Sequence, residues 1–483
     1  MPVSLASSKC SADAGADAGQ RGTRAGWALA AALLGFFVMT LDALVVNVAL
    51  PAIGHSFGGG MTGLQWVVDG YTLMFAALLL SAGTVSDRIG ARRAFGGGLA
   101  LFVAASAACG LAPNLGVLVV ARLVQGAGAA VIMPASLALI REAFPDPGKR
   151  AKAISLWALG GSVGSAAGPV AGGFLALISW RMIFFINVPV GVVALVLLAR
   201  VAGSPRRPAP FDWIGQAAAV LAMGALTYGA IEAGAAGLGA PRVLIALAVA
   251  GLTAIVFLLA QARGSHPMVP LPLLRSRTMA VSAVVGFALN VGFYGMIFLL
   301  GLYLQQARGL SAPATGLAFL PMTALTGVVS VSAARVTARF GSRAAIMAGQ
   351  LLMAAGLAVL CLAPGTAPIW LLVVLMMPVG AGGALAVPAV TALLLDRVPA
   401  ERAGTASGVF NTSRQVGGAL AVAVFGALVA GQEDFLRGLH ASLLIAAIAL
   451  VVAAATSLLL RPPRNSEARL PTTNSAGAIR RSL

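Results

Sequence analysis

Five ionisable residues stand within stretches of sequence that are otherwise apolar: Asp42, Asp69, Arg122, Glu232 and Arg414. A charged side chain at the centre of a bilayer costs about 2.5–3.5 kcal/mol on insertion scales, so each of these residues is a candidate for function. A carboxylate beside an arginine can bind and release a proton, because burial favours its neutral form and the arginine favours its charged form. These residue types therefore indicate proton transfer within a membrane.

The depths of these residues can be compared by counting along the predicted helices. At about 1.5 Å per residue, Asp42, Asp69 and Arg122 lie roughly 9–14 Å below the same surface. We expect these three to share one pocket and to carry protons. Glu232 lies near the end of its helix, where water is close. Arg414 lies near the centre of its helix with no evident partner acid, so it faces a cavity or bonds backbone carbonyls.

A cavity for an organic molecule needs aromatic walls and a few polar groups. Such side chains also occur in the apolar stretches, where each could face the cavity, lipid or the protein core. The candidate cavity residues are Trp66, Tyr71, Gln125, Asn290, Tyr294, Phe298, Asn411, Arg414 and Gln415.

The composition is that of an integral membrane protein. Hydrophobic residues make up 59% of the 483 residues, charged residues only 10%, and the mean hydropathy is +0.95. The net charge of +18 would suggest nucleic acid as a partner of a soluble protein, but here the charges occupy short loops beside a lipid bilayer. The three cysteines and three histidines are scattered, which favours neither a disulfide framework nor a metal site.

Fourteen apolar segments are long enough to cross a bilayer. By these boundaries, 26 of the 32 basic residues lie on one side and four on the other. Positive charge is retained in the cytoplasm, so both termini are predicted to be cytoplasmic. The predicted spans are 27–50, 63–82, 94–112, 115–140, 153–177, 182–200, 213–233, 242–262, 279–305, 314–336, 344–363, 368–395, 403–430 and 439–460.

An internal repeat relates the two ends of the chain. The stretch "SDRIGARR" (86–93) matches "TARFGSR" (337–343), and "GAGAAVIMPASLAL" (126–139) matches "GAGGALAVPAVTAL" (380–393), at nearly the same shift. Two related six-helix bundles on either side of two extra helices account for fourteen spans, which is a transporter architecture. The predicted division is a disordered tail over 1–25, bundles over 26–200 and 279–460, a linker with two helices over 201–278, and a second tail over 461–483.

Two further features suit a gate. In the hairpin between spans 2 and 3, an acid and three arginines can hold one side closed, while glycines let the backbone turn; these residues are Gly83, Asp87, Arg88, Gly90, Arg92 and Arg93. A glycine at every fourth position of span 5 allows close approach of another helix, and Pro169 can kink that span. Gly164, Gly168 and Pro169 are therefore expected to form a seam between the bundles.

Several of these stretches resemble one known family. "GTVSDRIGARR" (83–93) is similar to the loop motif of the major facilitator superfamily, and "LDALVVNVALPAI" (41–53) to the first-helix motif of its fourteen-helix drug:proton antiporter branch. "ARLVQGAGAAVIMPAS" (121–136) resembles the fourth-helix motif and "GSVGSAAGPVAGG" (161–173) the fifth-helix antiporter motif. "WVVDGY" (66–71) is most similar to methylenomycin A resistance-type exporters.

The resemblance implies an all-α integral membrane protein of the major facilitator fold, with roles in proton coupling for Asp42 and Arg122. It implies a proton-coupled exporter of amphipathic small molecules such as antibiotics, located in the bacterial cell membrane. The sequence has no phosphate-binding Gly-rich loop with a lysine, so a proton gradient is expected to replace any cofactor. We expect a monomer and no enzymatic activity. A proton-coupled transporter of a small metabolite is the alternative on the same fold.

Overall fold

The computed structural model describes residues 4–206, 210–398, 402–430 and 435–460. Regular secondary structure in these ranges is helical throughout. The helices are α1 (Ser4–Phe57), α2 (Gly60–Ile89), α3 (Ala91–Gly110), α4 (Leu115–Ala143), α5 (Pro147–Ile178), α6 (Met182–Phe185), α7 (Asn187–Ala199), α8 (Trp213–Ala236), α9 (Pro241–Arg263), α10 (Leu271–Arg275), α11 (Arg277–Leu302), α12 (Ala312–Phe340), α13 (Ser342–Leu362), α14 (Ile369–Arg397), α15 (Ala403–Ala430) and α16 (Phe435–Ser457).

Within the described ranges, 14 helical segments are long and apolar enough to cross a membrane, which confirms the predicted number. Three local features differ from the prediction. The sixth span is divided at Ile186 into α6 and α7, and a π-helical turn, Tyr303–Ala307, extends α11. The short helix α10 falls in the predicted linker.

The first helix extends beyond its predicted span. Although the composition of residues 1–25 predicts a disordered tail, α1 begins at Ser4, and its membrane-spanning part is Thr23–Phe57. Alanine is the strongest helix former, and the tail is rich in alanine. Local propensity therefore allows the helix to continue past its apolar part.

The predicted loop between the second and third spans is almost entirely helical. α2 continues to Ile89 and α3 begins at Ala91, so the turn is a single residue, Gly90, with a φ of 89°. A side chain strongly disfavours this left-handed backbone, whereas glycine adopts it readily. Gly341 joins α12 to α13 in the same way with a φ of 82°, as the internal repeat predicts.

Helix packing reproduces the repeat. A Cβ added to Gly128 of α4 would lie 2.8 Å from the carbonyl oxygen of Gly98 in α3. The corresponding residues, Gly349 of α13 and Gly382 of α14, approach each other equally closely: a Cβ on Gly349 would lie 2.5 Å from the carbonyl oxygen of Gly382. Small residues at these crossings let both helix pairs pack backbone to backbone. The N-terminal half, α1–α7, and the C-terminal half, α11–α16, thus share one packing scheme.

The two halves meet chiefly through α2 with α15 and α5 with α12. The Gln65 amide of α2 donates hydrogen bonds to the carbonyl oxygens of Val422 (3.1 Å) and Ala423 (2.6 Å) in α15. Gln305 donates to the carbonyl oxygen of Val48 at 2.9 Å. These bonds lie toward the end where α1 ends and α2 begins. We call the other end, which carries the turns at Gly90 and Gly341, the basic end.

The two extra helices pack beside the interface rather than between the halves. α8 contacts α9 and also both α2 and α15. The Gln216 amide donates a hydrogen bond to the carbonyl oxygen of Ala77 at 2.9 Å and pairs with the Ser81 hydroxyl. At the other end of α8, Gly234 lies against Ala427 of α15. α8 therefore contacts both halves at once.

Candidate functional site

The site in the N-terminal half is built on an ion pair between α1 and α4. Nη1 of Arg122 lies 2.5 Å from Oδ2 of Asp42. The side chains of Asp42 and Arg122 are 0% and 1% exposed, so water does not compete for either charge. The structure thus joins two residues whose depths predict proximity. Such a pair is held together strongly because separating it would leave an uncompensated buried charge.

Amide side chains complete the hydrogen bonds of the Asp42 carboxylate. Oδ1 accepts from Nε2 of Gln125 at 2.9 Å and from Nδ2 of Asn187 at 2.7 Å. The Gln125 carbonyl in turn accepts from Nη1 of Arg122 at 2.8 Å. Gln125 was predicted to line a substrate cavity; that prediction is wrong, because its side chain is fully buried in this network.

Asn187 and Ser106 also belong to this site, although neither was among the predicted site residues. Nδ2 of Asn187 also donates to the Ser106 hydroxyl at 2.9 Å, and that hydroxyl donates to the carbonyl oxygen of Phe184 at 2.9 Å. Asn187 begins α7, directly after the interruption at Ile186, so the divided sixth span aims its amide at Asp42. An asparagine within the apolar stretch "FFINVPVG" (184–191) was the available signal.

Helix α2 provides further contacts of the arginine. Nε of Arg122 donates to the carbonyl oxygen of Val67 at 2.9 Å, and its guanidinium carbon lies 4.4 Å from the centre of the Tyr71 ring. The Tyr71 hydroxyl donates to the carbonyl oxygen of Met39 at 3.3 Å. Tyr71, which was also predicted to line the substrate cavity, is instead buried and packs against the arginine through a cation–π contact. We call Asp42, Tyr71, Ser106, Arg122, Gln125 and Asn187 the Asp42 cluster.

Asp69 does not join the Asp42 cluster, contrary to the prediction of one shared pocket. Its side chain is fully buried, and neither carboxylate oxygen has a hydrogen-bond partner among the described residues. Gln65, one turn earlier on the same face of α2, bonds to α15. Asp69 therefore faces the interface between the halves, whereas the opposite face of α2 meets Arg122. A buried carboxylate without donors is far more costly than a neutral carboxylic acid.

The C-terminal half contains a second polar group, around Arg414. Nε of Arg414 donates to Oδ1 of Asn290 and Nη1 donates to Oδ1 of Asn411, both at 3.3 Å. Tyr294 lies one turn after Asn290 on α11 and against Gly418 of α15. The structure thus brings Asn290, Asn411 and Arg414 into contact, and a substrate cavity lined by them and by Tyr294 stays a prediction. Gln415 is also partly exposed.

Two other predicted cavity residues are placed elsewhere. Trp66 lies on the face of α2 that meets α8, where its ring centre is 6.4 Å from that of Tyr228. Phe298 has no exposed surface and belongs to a hydrophobic core cluster that includes residues of both halves. Both predictions are wrong, because residue type alone does not reveal which face of a helix points inward.

At the basic end, a cleft of about 260 Å³ is lined by Ser86, Asp87, Ala91, Ala138, Arg141, Glu142 and Pro205. The side chain of Asp87 is exposed and forms no ion pair within the described part of the chain. Arg92 instead binds the C-terminal end of α7: its Nε and Nη2 donate to the carbonyl oxygens of Leu198 (3.3 Å) and Ala199 (3.1 Å). Arg88 and Arg93 are exposed.

The predicted glycine seam is placed differently. A Cβ on Gly164 would lie 2.5 Å from the carbonyl oxygen of Phe37, and one on Gly168 would lie 3.0 Å from that of Leu41. Both glycines thus face α1 of the same half, not the other half, so that prediction is wrong for them. The other half is met by Pro169, whose carbonyl oxygen lies against Gly316 of α12.

Two further candidate residues have simple surroundings. A Cβ added to Gly83 would have nothing within 4 Å, so no neighbouring atom requires a glycine at this position. Glu232 forms an ion pair with Arg242, with 2.8 Å between Oε2 and Nε. In the described ranges, no group of three His, Cys, Asp or Glu side chains could hold a metal ion.

Comparison with known proteins agrees with the motifs and the helix count. A family model described as Major Facilitator Superfamily matches residues 32–422. The chain is 39% identical over 400 residues to the multidrug resistance protein Stp of Mycobacterium tuberculosis, covering 82% of this chain and 74% of that protein. It is 35% identical over 452 residues to a methylenomycin A resistance protein of Streptomyces coelicolor, covering 93% and 95% of the two chains.

Solved structures show the same fold at low sequence identity. A bacterial homologue of the human lysosomal transporter Spinster, in an inward-facing and unoccupied conformation, aligns with a TM-score of 0.64 at 17% identity, covering 90% of this chain and 96% of that one. A D-xylose–proton symporter aligns with a TM-score of 0.62 at 16% identity, covering 87% and 96%. With fourteen apolar helices and a family match across most of its length, this multi-pass membrane protein belongs to the Major Facilitator Superfamily.

Proposed function

We propose that the protein exports amphipathic small molecules, antibiotics among them, in exchange for protons. The Asp42 cluster is the observation that carries this proposal, because a buried carboxylate held by one arginine and two amides can exchange a proton only when the surrounding helices move. Resistance and export proteins among the relatives, including the tetracenomycin C resistance and export protein of Streptomyces glaucescens at 35% identity, support a drug as the substrate.

The placement of the chain in the membrane follows from its charges. We infer a bacterial plasma membrane, both termini in the cytoplasm and a monomeric transporter that needs no cofactor. With the basic end in the cytoplasm, the hydrogen bonds of Gln65 and Gln305 between the halves lie on the outer side. The structure then corresponds to an inward-facing state.

The two buried acids of the N-terminal half, Asp42 and Asp69, have different surroundings, and this difference fits a transport cycle with alternating access. The Asp42 carboxylate is paired with Arg122 and fully hydrogen-bonded in this state, whereas the buried Asp69 carboxyl lacks donors and costs less to bury in its neutral form. Asp69 lies on α2 where that helix meets α15, so movement between the halves changes its surroundings. We infer that Asp69 takes part in loading or releasing a proton, and that the state of the Asp42–Arg122 pair follows the same movement.

The gate proposed at the basic end involves Asp87. In the outward-facing state its carboxylate would meet the N-terminus of α15, where the helix dipole favours negative charge. Arg92 already fixes the end of α2 and the start of α3 to the C-terminal end of α7. The α2–α3 turn therefore moves with the N-terminal half, and during this movement Asp87 gains or loses its contact with the N-terminus of α15.

The decisive experiment uses proteoliposomes with a pH-sensitive dye in the lumen. Addition of a substrate antibiotic should move protons in the direction opposite to the drug, and an imposed pH gradient should drive drug accumulation that an uncoupler abolishes. Drug movement that continues after the gradient has collapsed would refute proton coupling. Drug and proton movement in the same direction would favour symport of a metabolite-like substrate. Accessibility of a cysteine placed in each terminus tests the orientation independently.

A further inference from the structure

Arg414 lies near the centre of the membrane without an opposing acid. It follows the start of α15 at Ala403 by eleven residues and precedes its end at Ala430 by sixteen, so about 16 and 24 Å of helix separate it from the two ends. No described Asp or Glu forms an ion pair with it. In the sequence from 279 to 460, acids occur only near helix ends, at Asp396, Glu401, Glu433 and Asp434.

The contacts of Arg414 leave most of its donors free. A guanidinium has five N–H groups, and the two bonds to Asn290 and Asn411 are both 3.3 Å long and end on neutral oxygens. The side chain is also partly exposed. Arg122 is the opposite case, since it is buried and paired with Asp42. Of these two arginines within the spans, Arg122 is neutralised, whereas the charge of Arg414 is available.

A second donor lies next to Arg414. Asn290 is 3% exposed, and its Nδ2 has no hydrogen-bond partner among the described residues. Its amide orientation is consistent with the network, because Oδ1 accepts from Arg414 and Nδ2 is then left as the free donor. An unsatisfied buried amide costs about 1–3 kcal/mol, so a ligand oxygen at this position would be strongly favoured.

The local packing leaves room for the guanidinium. A Cβ on Gly286 would lie 2.9 Å from Cγ of Arg414 and 2.8 Å from the Phe410 ring, so only glycine at 286 admits the arginine stem. The guanidinium carbon lies 5.9 Å from the centre of the Phe410 ring. The Tyr294 ring lies one turn further along α11, against Gly418 of α15. Apolar surface and N–H donors thus occur side by side.

We propose that Arg414 and Asn290 form a subsite for an acidic oxygen group of the transported molecule, so that the preferred substrates are amphipathic organic acids. This inference rests on the proposed export function and adds the chemical class of the substrate. The planar guanidinium matches a carboxylate in geometry and charge. A bound acid would neutralise Arg414 and satisfy Nδ2 of Asn290 at the same time.

Binding to protein in lipid nanodiscs tests the subsite without a proton gradient. The probes are three acid and amide pairs of equal size: 1-naphthaleneacetate and its amide, 1-pyrenebutyrate and its amide, and anthracene-9-carboxylate and its amide. We expect at least one acid to bind about tenfold more tightly than its amide, equivalent to about 1.4 kcal/mol. Arg414→Gln should abolish that preference and leave amide binding unchanged, whereas Arg414→Lys should retain part of it.

A second variant guards against misfolding of the first. Asn290→Asp places an acid beside Arg414 in nearly the same volume, and it should remove the acid preference by neutralising the guanidinium. Arg277→Gln, which removes an exposed arginine of the same half, is the control and should keep the preference. Equal binding of acid and amide in all three pairs, or a preference that survives in both Arg414→Gln and Asn290→Asp, would overturn the subsite. Failure of the subsite would leave proton-coupled export possible. Conversely, the absence of proton coupling in proteoliposomes would leave the binding result in nanodiscs intact.

Discussion

The carboxylate of Asp42 and the guanidinium of Arg122 form an ion pair of 2.5 Å that is closed to solvent. Protonation of Asp42 would remove the negative charge and leave Arg122 with a backbone carbonyl, an amide oxygen and the rings of Tyr71 and Phe184 as its remaining contacts. A buried arginine with only neutral contacts is costly. A proton on Asp42 therefore favours a rearrangement of α1 against α4, which is the type of coupling that transport requires.

Asp42→Asn should abolish proton-coupled export and also destabilise the protein. The new amide cannot neutralise Arg122, and in either orientation its NH2 group faces other N–H donors, those of Arg122 or those of Gln125 and Asn187. Removing one partner of a buried pair costs about 3–5 kcal/mol. Proton counterflow in proteoliposomes and the melting temperature in detergent measure the two effects.

The double variant Asp42→Asn with Arg122→Gln separates coupling from stability. It removes both charges, so most of the lost thermal stability should return while drug-driven proton movement stays absent. If the double variant transports drug with normal proton exchange, the pair has only a structural role.

Asp69→Asn should behave differently from Asp42→Asn. Because Asp69 has no hydrogen-bond donor in this state, a neutral amide of similar shape should change the free energy of unfolding by less than about 1 kcal/mol. Drug transport should lose its response to an imposed pH gradient. A melting temperature that falls as far as that of Asp42→Asn would show that Asp69 is ionised and paired in the folded protein.

Asp87→Asn should slow the transport cycle without weakening drug binding. The carboxylate is exposed and unpaired by any described residue in this state, so its loss removes only an interaction of the other state. We expect lower turnover at an unchanged dissociation constant. Asp396→Asn, which removes another exposed acid, should leave both values unchanged. A weaker dissociation constant with normal turnover in Asp87→Asn would contradict a gating role.

Two glycine substitutions distinguish close packing from mere flexibility. Gly164→Ala places a methyl group against the carbonyl oxygen of Phe37 and the hydroxyl of Thr40, so α1 and α5 must separate and the protein should lose about 1–3 kcal/mol of stability. Gly83→Ala meets nothing within 4 Å inside α2 and should be neutral or stabilising by up to about 1 kcal/mol. Thermal unfolding of both variants is the measurement, and equal melting temperatures would refute this reading of the α1–α5 contact.

The helix count, the repeat and the pairing of Asp42 with Arg122 could be predicted because each leaves a linear signal. Hydrophobic runs of membrane length mark the spans, and the turns at Gly90 and Gly341 recur with the same left-handed backbone. Depth in the membrane is proportional to residue number along a helix. Residues at one depth can therefore be identified without a structure.

Rotation about each helix axis and the choice of neighbouring helix are tertiary properties. Asp69 and Arg122 lie at similar depth, yet the face of α2 that carries Asp69 turns to α15. Trp66 meets α8, and Gly164 meets α1, for the same reason. Asn187 reaches Asp42 only because α7 begins beside α1 and α3. The sequence by itself determined how many helices cross the membrane and how deep each charge lies. Only the tertiary structure decided which face of each helix is buried and against which partner helix, because that choice depends on packing between segments far apart in the chain.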